Sequence, residues 1–163
     1  MPQSGIHLAT GIAVKDERLL MVASCYANQP HPLWNLPGGR QQPGELLVET
    51  VVREFYEETH LRVRAGELAY VSESYDGARH FLNATFLVEV LEGQAKLRMT
   101  PEGMTPGDHV VAVEWVALSD LRERIAVAVV REPLVAFLEG SLERRYAGYH
   151  EAGVTIEWPD DSA

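Results

Sequence analysis

Arg53 is followed by Glu54, Glu57 and Glu58, three carboxylates set three and four residues apart. Helical spacing would bring all three onto one broad face. Like charges that close cost roughly 0.2–0.5 kcal/mol per exposed pair unless something neutralises them. Mg²⁺ and Mn²⁺ take hard oxygen ligands and keep waters that phosphate oxygens can displace. Carboxylates clustered on a rigid helix therefore make a site where an ion reverses the local sign and holds a polyphosphate. Taken without their surroundings, the same residues also read as a solvated helix face, with Arg53 an ordinary salt-bridge partner of Glu49. Just upstream, Gly38-Gly39-Arg40-Gln41-Gln42-Pro43-Gly44-Glu45 forms a glycine-containing lead into the helix.

The elements that must position these groups follow from periodicity. The spacing predicts a helix over Glu45 to Thr59, with Leu47, Val48, Val51, Val52 and Phe55 on its apolar face. Before it, Ile6 to Val14 and Leu19 to Ala23 read as two strands joined by the polar turn Lys15-Asp16-Glu17-Arg18. Tyr26 to Gly44 carries Pro30, Pro32, Pro37 and Pro43 and reads as an ordered surface loop without a regular element. Further strands are expected around Glu67 to Ser74, Arg79 to Leu91 and Val110 to Ala117, with Gly77 at a turn and Met99 to Gly107 a loop. Ser119 to Glu123 and Ile125 to Glu139 read as helices, Ser119 capping the first and Pro133 kinking or breaking the second. Val154 to Trp158 is a candidate terminal strand. The expected organisation is a single domain over 1–158 and a frayed tail over 159–163.

Composition narrows the classes of function. The 163 residues carry 14 Lys and Arg against 24 Asp and Glu, a net charge of -10. Such a surface repels phosphate backbones, which argues against polymeric DNA or RNA as a partner and requires a local cation for any nucleotide. One cysteine, Cys25, allows no internal disulfide; after an apolar strand it reads as a small buried residue rather than a nucleophile. Neither a leader-like N-terminus nor a membrane-length apolar run is present in the sequence, so a cytoplasmic protein is expected.

Gly39, Glu45, Arg53, Glu54, Phe55, Glu57, Glu58 and Leu61, in type and spacing, closely resemble the signature of the Nudix hydrolases, MutT-like pyrophosphohydrolases. The signature covers Gly39 to Leu61, and His60 stands where the family usually has glycine. A histidine at a left-handed helix end costs about 1 kcal/mol or less, and we read His60 as a structural cap rather than a ligand. The resemblance implies an α/β/α sandwich around a mixed sheet. It also implies that Glu54 and Glu58 are direct ligands of Mg²⁺ or Mn²⁺, that Glu57 is a ligand or holds bound water, and that the Gly39 carbonyl completes the inner shell. Arg53 would orient a carboxylate, and Glu45 would support the loop and the helix start. The implied reaction is attack by metal-activated water on a phosphorus of a diphosphate linkage. The general base is open among Glu54, Glu57 and a residue of the Met99 to His109 loop. In that loop Asp108 resembles a common acidic position before a strand, with a turn-forming role as the alternative.

The substrate must be met beside the charged site by an aromatic or apolar wall and a few polar groups. Tyr26, Trp34, Tyr75 and Phe81 are candidates for the aromatic wall, Asn35, Arg79 and His80 for polar contacts, and Arg40 for phosphate or for a side chain pointing into solvent. Trp34 is equally readable as a plug beneath the proline-rich loop, and Phe81 as core. The first substrate class is a nucleoside triphosphate or a related nucleoside diphosphate derivative. A dinucleoside polyphosphate or ADP-ribose hydrolase is the enzymatic alternative, and a nucleotide-binding protein without hydrolysis the non-enzymatic one. Small size and the resemblance allow a homodimer, with Tyr146, Tyr149 and Trp158 either at its interface or covering the core.

Overall fold

The structure is a computed structural model and describes residues 4–95 and 110–151. Its elements are β1 (Ser4–Ile12), β2 (Val14–Lys15), β3 (Arg18–Ser24), β4 (Leu33–Asn35), β5 (Gly38–Arg40), α1 (Leu47–Thr59), β6 (Arg62–Asp76), β7 (Arg79–Glu92) and β8 (Val110–Ala117). They are followed by a 3₁₀ turn (Leu118–Asp120), α2 (Leu121–Arg124), α3 (Ala128–Leu138) and β9 (Tyr146–Tyr149). A five-stranded mixed sheet runs in the order β5-β1-β7-β6-β9. In it β1 and β7 are parallel, β6 and β9 are parallel, and the remaining pairs are antiparallel. In the second sheet β8 runs along the whole of β3, while β2 and β4 pair with successive stretches of that strand.

The run Leu19-Leu20-Met21-Val22-Ala23 is buried throughout because β3 has a core on each face. Leu19 and Met21 join the cluster with Tyr70, Leu121, Ile125 and Leu134. Leu20 joins Ala9, Val51, Phe55 and Phe86. Successive strand residues point to opposite faces, so α1 packs on one side of the sheets and α2 with α3 on the other. This is the α/β/α arrangement expected from the sequence.

Tertiary pairing overrides several local expectations. The proline-rich stretch is not free of regular structure: β4 pairs with β3 and β5 with β1, and Pro37 falls in the two-residue gap between them. Strand β6 begins at Arg62 rather than Glu67, supported by cross-strand ion pairs of Arg62 with Glu92 and Arg64 with Glu89. Pro133 lies inside α3, which continues past it to Leu138. Ser119 makes no capping bond at either the 3₁₀ turn or α2. Val48 is exposed at 38%, outside the packed stripe of α1, and Cys25 is exposed rather than buried. The short strand β9, read in the sequence only as tyrosines of undecided role, forms the sheet edge beside β6. The Met99 to Gly107 loop, Asp108, the Val154 to Trp158 strand and the 159–163 tail lie outside the described residues. Among the described residues no helix is long and apolar enough to cross a membrane.

Candidate active site

Helix α1 begins at Leu46, whose backbone N–H donates to the Glu49 carboxylate at 2.7 Å. Glu49 is thus a helix-start acceptor and not the partner of Arg53. The helix ends at His60 in the left-handed conformation, φ 69°, where the histidine N–H caps the Tyr56 carbonyl at 3.0 Å. Its ring stacks on Tyr56 with centroids 5.3 Å apart. His60 therefore closes the helix through its backbone N–H while its side chain packs locally.

One turn apart on this helix, Glu54 and Glu58 both meet the β5 backbone. Glu58 is buried, 7% exposed, and accepts the Gly38 N–H at 2.7 Å. The Glu54 carboxylate lies where a side chain on residue 39 would be: a Cβ on Gly39 would stand 2.5 Å from Glu54 Oε1. A Cβ on Gly38 would stand 2.2 Å from the Ala9 carbonyl oxygen. The paired glycines are thus required by close approach on both sides, from the sheet and from the acidic helix.

Arg53 organises the remaining carboxylates. Its Nε donates to Glu45 Oε2 at 2.6 Å and Nη2 to Glu45 Oε1 and the Arg40 carbonyl. Its Nη1 donates to Glu54 Oε1 at 3.0 Å and Glu57 Oε2 at 3.1 Å. All five N–H groups of the guanidinium are thereby used, a geometry lysine cannot reproduce. Glu45 also accepts from the Gln42 N–H and the Thr50 hydroxyl, tying the loop to the first turns of the helix. The Arg53 hydrogen bonds hold the Glu45 carboxyl down at about 2, from an ordinary value of 4.5.

That depression carries a sign. A carboxyl whose folded pKa is lowered contributes stability that is present above its unfolded value and is lost as pH falls through the folded one. Glu45→Gln should therefore destabilise the protein at pH 7, and the gap between the two proteins should close between pH 4.5 and about 2. Urea unfolding of both proteins across that range checks this; a gap independent of pH would contradict it.

The donor set suits a hard divalent cation: three carboxylates with no thiolate or imidazole among them. One guanidinium nitrogen already bridges Glu54 and Glu57, so this pair is placed to share a positive charge. Among the described residues no three acidic, histidine or cysteine groups converge as a ready-made ion cage. Glu57, the most exposed of the three partners of Arg53, is the one most free to turn from it.

A cavity opens between β4 and the face of β6 and β7 that looks towards α3. Trp34 and Asn35 of β4, Phe81 and Asn83 of β7, and Ser72, Ser74 and Asp76 of β6 line it, with Tyr26 from the segment between β3 and β4 and Val127 and Val130 from the α3 end. Tyr26 links it to the acidic face: burial raises its pKa, its hydrogen bond with Ser24 opposes the rise, and the nearby Glu58 charge adds to it. Trp34 packs against the core and lines the cavity. Its ring also carries the Arg124 guanidinium at 4.7 Å. Phe81 is buried core and cavity wall at once.

Tyr75 is brought elsewhere. Period-two alternation puts it with Glu73 on the opposite face of β6 from Ser72, Ser74 and Asp76, where it stacks on His80 at 4.7 Å. Arg79 stands at the start of β7 in register with Asp76, at the strand end rather than among the lining groups. Arg40 is anchored in β5 beside the acidic face. The sequence reading missed Asn83, Ser72 and Ser74. Their signal was there as polar residues at every second position of β6 and β7.

The fold and site together define an α/β/α protein whose acidic helix is pressed against a glycine pair and which carries a separate aromatic, amide-bearing cavity, with Tyr26 of its wall feeling the Glu58 charge. A sequence model of the NUDIX domain matches residues 5–137. The chain belongs to the Nudix family. It is 35% identical over 114 residues to an ADP-ribose pyrophosphatase of Methanocaldococcus jannaschii, covering 68% of this chain and 61% of that protein. It is 33% identical over 88 residues to a putative 8-oxo-dGTP diphosphatase of Bacillus subtilis, covering 53% of this chain and 51% of that one. The chain thus spans only about half to three fifths of the length of these relatives. Among solved structures, a MutT NUDIX hydrolase of Burkholderia pseudomallei superposes with TM-score 0.66 at 26% identity, covering 81% of this chain and 97% of that one.

Proposed function

We propose that this protein hydrolyses the diphosphate linkage of a nucleoside triphosphate or a related nucleoside diphosphate derivative, with Mg²⁺ or Mn²⁺ as cofactor. The observation that carries this reading is the placement of the Glu54 and Glu58 carboxylates against Gly38-Gly39, in a protein whose Trp34, Tyr26 and Phe81 wall a cavity and whose Tyr26 feels the Glu58 charge. The activities named for the two relatives act on nucleotide diphosphate linkages, which supports the same class. The M. jannaschii relative favours ADP-ribose as the second reading.

Glu54, Glu57 and Glu58 would hold the cation, with the Gly39 carbonyl as a further oxygen donor. When bound, the ion supplies neutralisation of the phosphoryl oxygens and acidity to a coordinated water. The chain's own part is positioning. Arg53 holds Glu54 and Glu57 at one end of its fork and the loop, through Glu45 and the Arg40 carbonyl, at the other. Arg40 projects from that fixed backbone and is proposed to meet a phosphate. Trp34 and Asn35 are proposed to hold the base, with Arg79 at the rim and Tyr75 outside this face. The proton from the attacking water goes to Glu57, Glu54 or Asp108; the exposure of Glu57 at 41% favours it.

The reading is tested with a panel of nucleoside triphosphates, nucleoside diphosphate sugars, ADP-ribose and dinucleoside polyphosphates under Mg²⁺ and Mn²⁺, with every product separated. Pyrophosphate plus nucleoside monophosphate supports the first class, and AMP plus ribose phosphate the second. Metal-dependent ligand binding with no product would instead indicate a binding protein. Gly39→Ala refines the test. Its methyl group displaces only the end of the Glu54 side chain, so stability should fall by about 1–3 kcal/mol at most, while turnover falls more than about tenfold. Unchanged turnover would remove Glu54 from the site.

A further inference from the structure

A second cavity, of about 310 Å³, lies on the reverse face of β6. That volume is at the small end of the range for small-molecule sites. Glu73 and Tyr75 of β6 wall it on one side and Tyr146, Gly148 and Tyr149 of β9 on the other. Arg144 precedes that strand and His150 follows it, and both reach the cavity. Successive residues of β6 face opposite ways, which keeps this cavity apart from the one that Ser72 and Ser74 line. Among the described residues none lines both.

The one acid of its wall is already engaged. Glu73 Oε1 accepts the Tyr146 hydroxyl at 2.5 Å, and Oε2 lies 2.5 Å from His80 Nε2. These partners hold the Glu73 carboxyl below the ordinary carboxylate range. Gly148 makes the first bond possible: a Cβ there would stand 2.6 Å from the Tyr146 hydroxyl oxygen, so the bare backbone lets the tyrosine lie over residue 148 and reach β6. Tyr75, stacked on His80 at 4.7 Å, is a further fixed ring of the wall. What is left over is positive. Arg53, Arg62, Arg64, Arg122, Arg124 and Arg131 each pair with a glutamate. Arg144 has no carboxylate partner among the described residues, and its guanidinium lies 5.7 Å from the Tyr146 ring centroid. In a chain of net charge -10, an uncommitted arginine beside aromatic walls reverses the local sign and suits a phosphate.

We infer that this cavity is a second binding site, separate from the acidic helix, for a small ligand that joins a planar ring to a phosphate, as a nucleoside monophosphate does. Tyr75, Tyr146 and Tyr149 meet the ring and Arg144 meets the phosphate. The site goes beyond the hydrolase reading and does not depend on it, because none of these residues belongs to the acidic helix or to the cavity of Trp34.

Calorimetry with AMP, adenosine and inorganic phosphate in EDTA, where no divalent ion serves the acidic helix, makes the test. Wild type should bind AMP at least about tenfold more tightly than either fragment, because ring and phosphate contacts then act on one molecule. Arg144→Gln should weaken AMP by at least about tenfold and leave adenosine unchanged. Tyr146→Phe keeps the ring but releases Glu73 Oε1 to face the phosphate, and Gly148→Ala displaces the ring itself; each should weaken AMP as well. Trp34→Leu should leave this binding in place. Urea unfolding of each variant separates lost binding from lost fold. Absence of AMP binding, equal binding of AMP and phosphate, or AMP binding that Trp34→Leu removes and Arg144→Gln does not, overturns the inference. AMP binding with the expected pattern but no metal-dependent hydrolysis of any substrate would instead sink the proposed function and leave this site standing.

Discussion

A Glu58→Gln protein is expected to keep its fold and to lose metal-dependent hydrolysis by on the order of 10³-fold in kcat, the effect of removing a few kcal/mol of transition-state charge stabilisation. The substitution is conservative for structure. Glutamine retains an oxygen that can accept the Gly38 N–H now held at 2.7 Å by Glu58, and the volume is nearly unchanged. Only the charge is lost, at a buried position facing the glycine pair. Steady-state kinetics under Mg²⁺ and Mn²⁺, with urea unfolding in parallel, separates the two effects. Turnover within a few fold of wild type at unchanged stability would show that Glu58 is a structural acceptor only.

The second large effect lies two turns earlier on the same helix. Val51→Asp should destabilise by more than about 4 kcal/mol, a large part of the roughly 5–15 kcal/mol that holds a domain together. Val51 is fully buried among Ala9, Leu20, Phe55 and Phe86. Helix and strand approach so closely there that a Cβ on Gly11 would lie 3.0 Å from the Val51 side chain and 2.5 Å from Phe55. An aspartate at that point has neither water nor a counterion. Val51→Ala, which only opens a small cavity, should cost about 2 kcal/mol and serves as the graded control. Similar unfolding midpoints for Val51→Asp and wild type would mean that this face of α1 does not carry the core.

These two substitutions mark what was readable along the chain. The helix and its apolar stripe follow from spacing alone, whereas Glu54 and Glu58, three and seven residues from Val51, border that stripe rather than oppose it, and Glu58 is buried with it. The strands around it were legible for the same reason, and their type more than their ends. Leu19 to Ala23 read as a strand from its apolar run, while its burial on both faces was decided by the packing of the two cores. Short strands β4 and β5 were not legible. Their residues include glycine and sit among prolines, so the extended conformation comes from pairing with β3 and β1 rather than from propensity.

Site residues divided along the same line. Glu45 and Arg53 lie eight apart in sequence, and their ion pair depends on the loop folding back over the first turns of the helix. Sequence spacing offered Glu49 instead, at the ideal helical distance. Glu49 is occupied by the Leu46 N–H, so the local rule met a competing helix-start bond. Cys25 shows a similar reversal: an apolar strand precedes it, but β3 ends at Ser24 and the cysteine passes into solvent.

By itself, the sequence determined the acidic helix, its apolar stripe, the glycine pair before it and the family to which these belong, all consequences of spacings of a few residues. Only the tertiary structure decided that Glu58 is buried against Gly38, that Arg53 joins Glu45 to Glu54 and Glu57, and that Asn83 and Ser72 share a cavity with Trp34 while Tyr75 does not. Each of those contacts joins separate elements. Which face of β6 meets β4 depends on strand parity and sheet order, and these are set by the packing of the whole chain rather than by any segment of it.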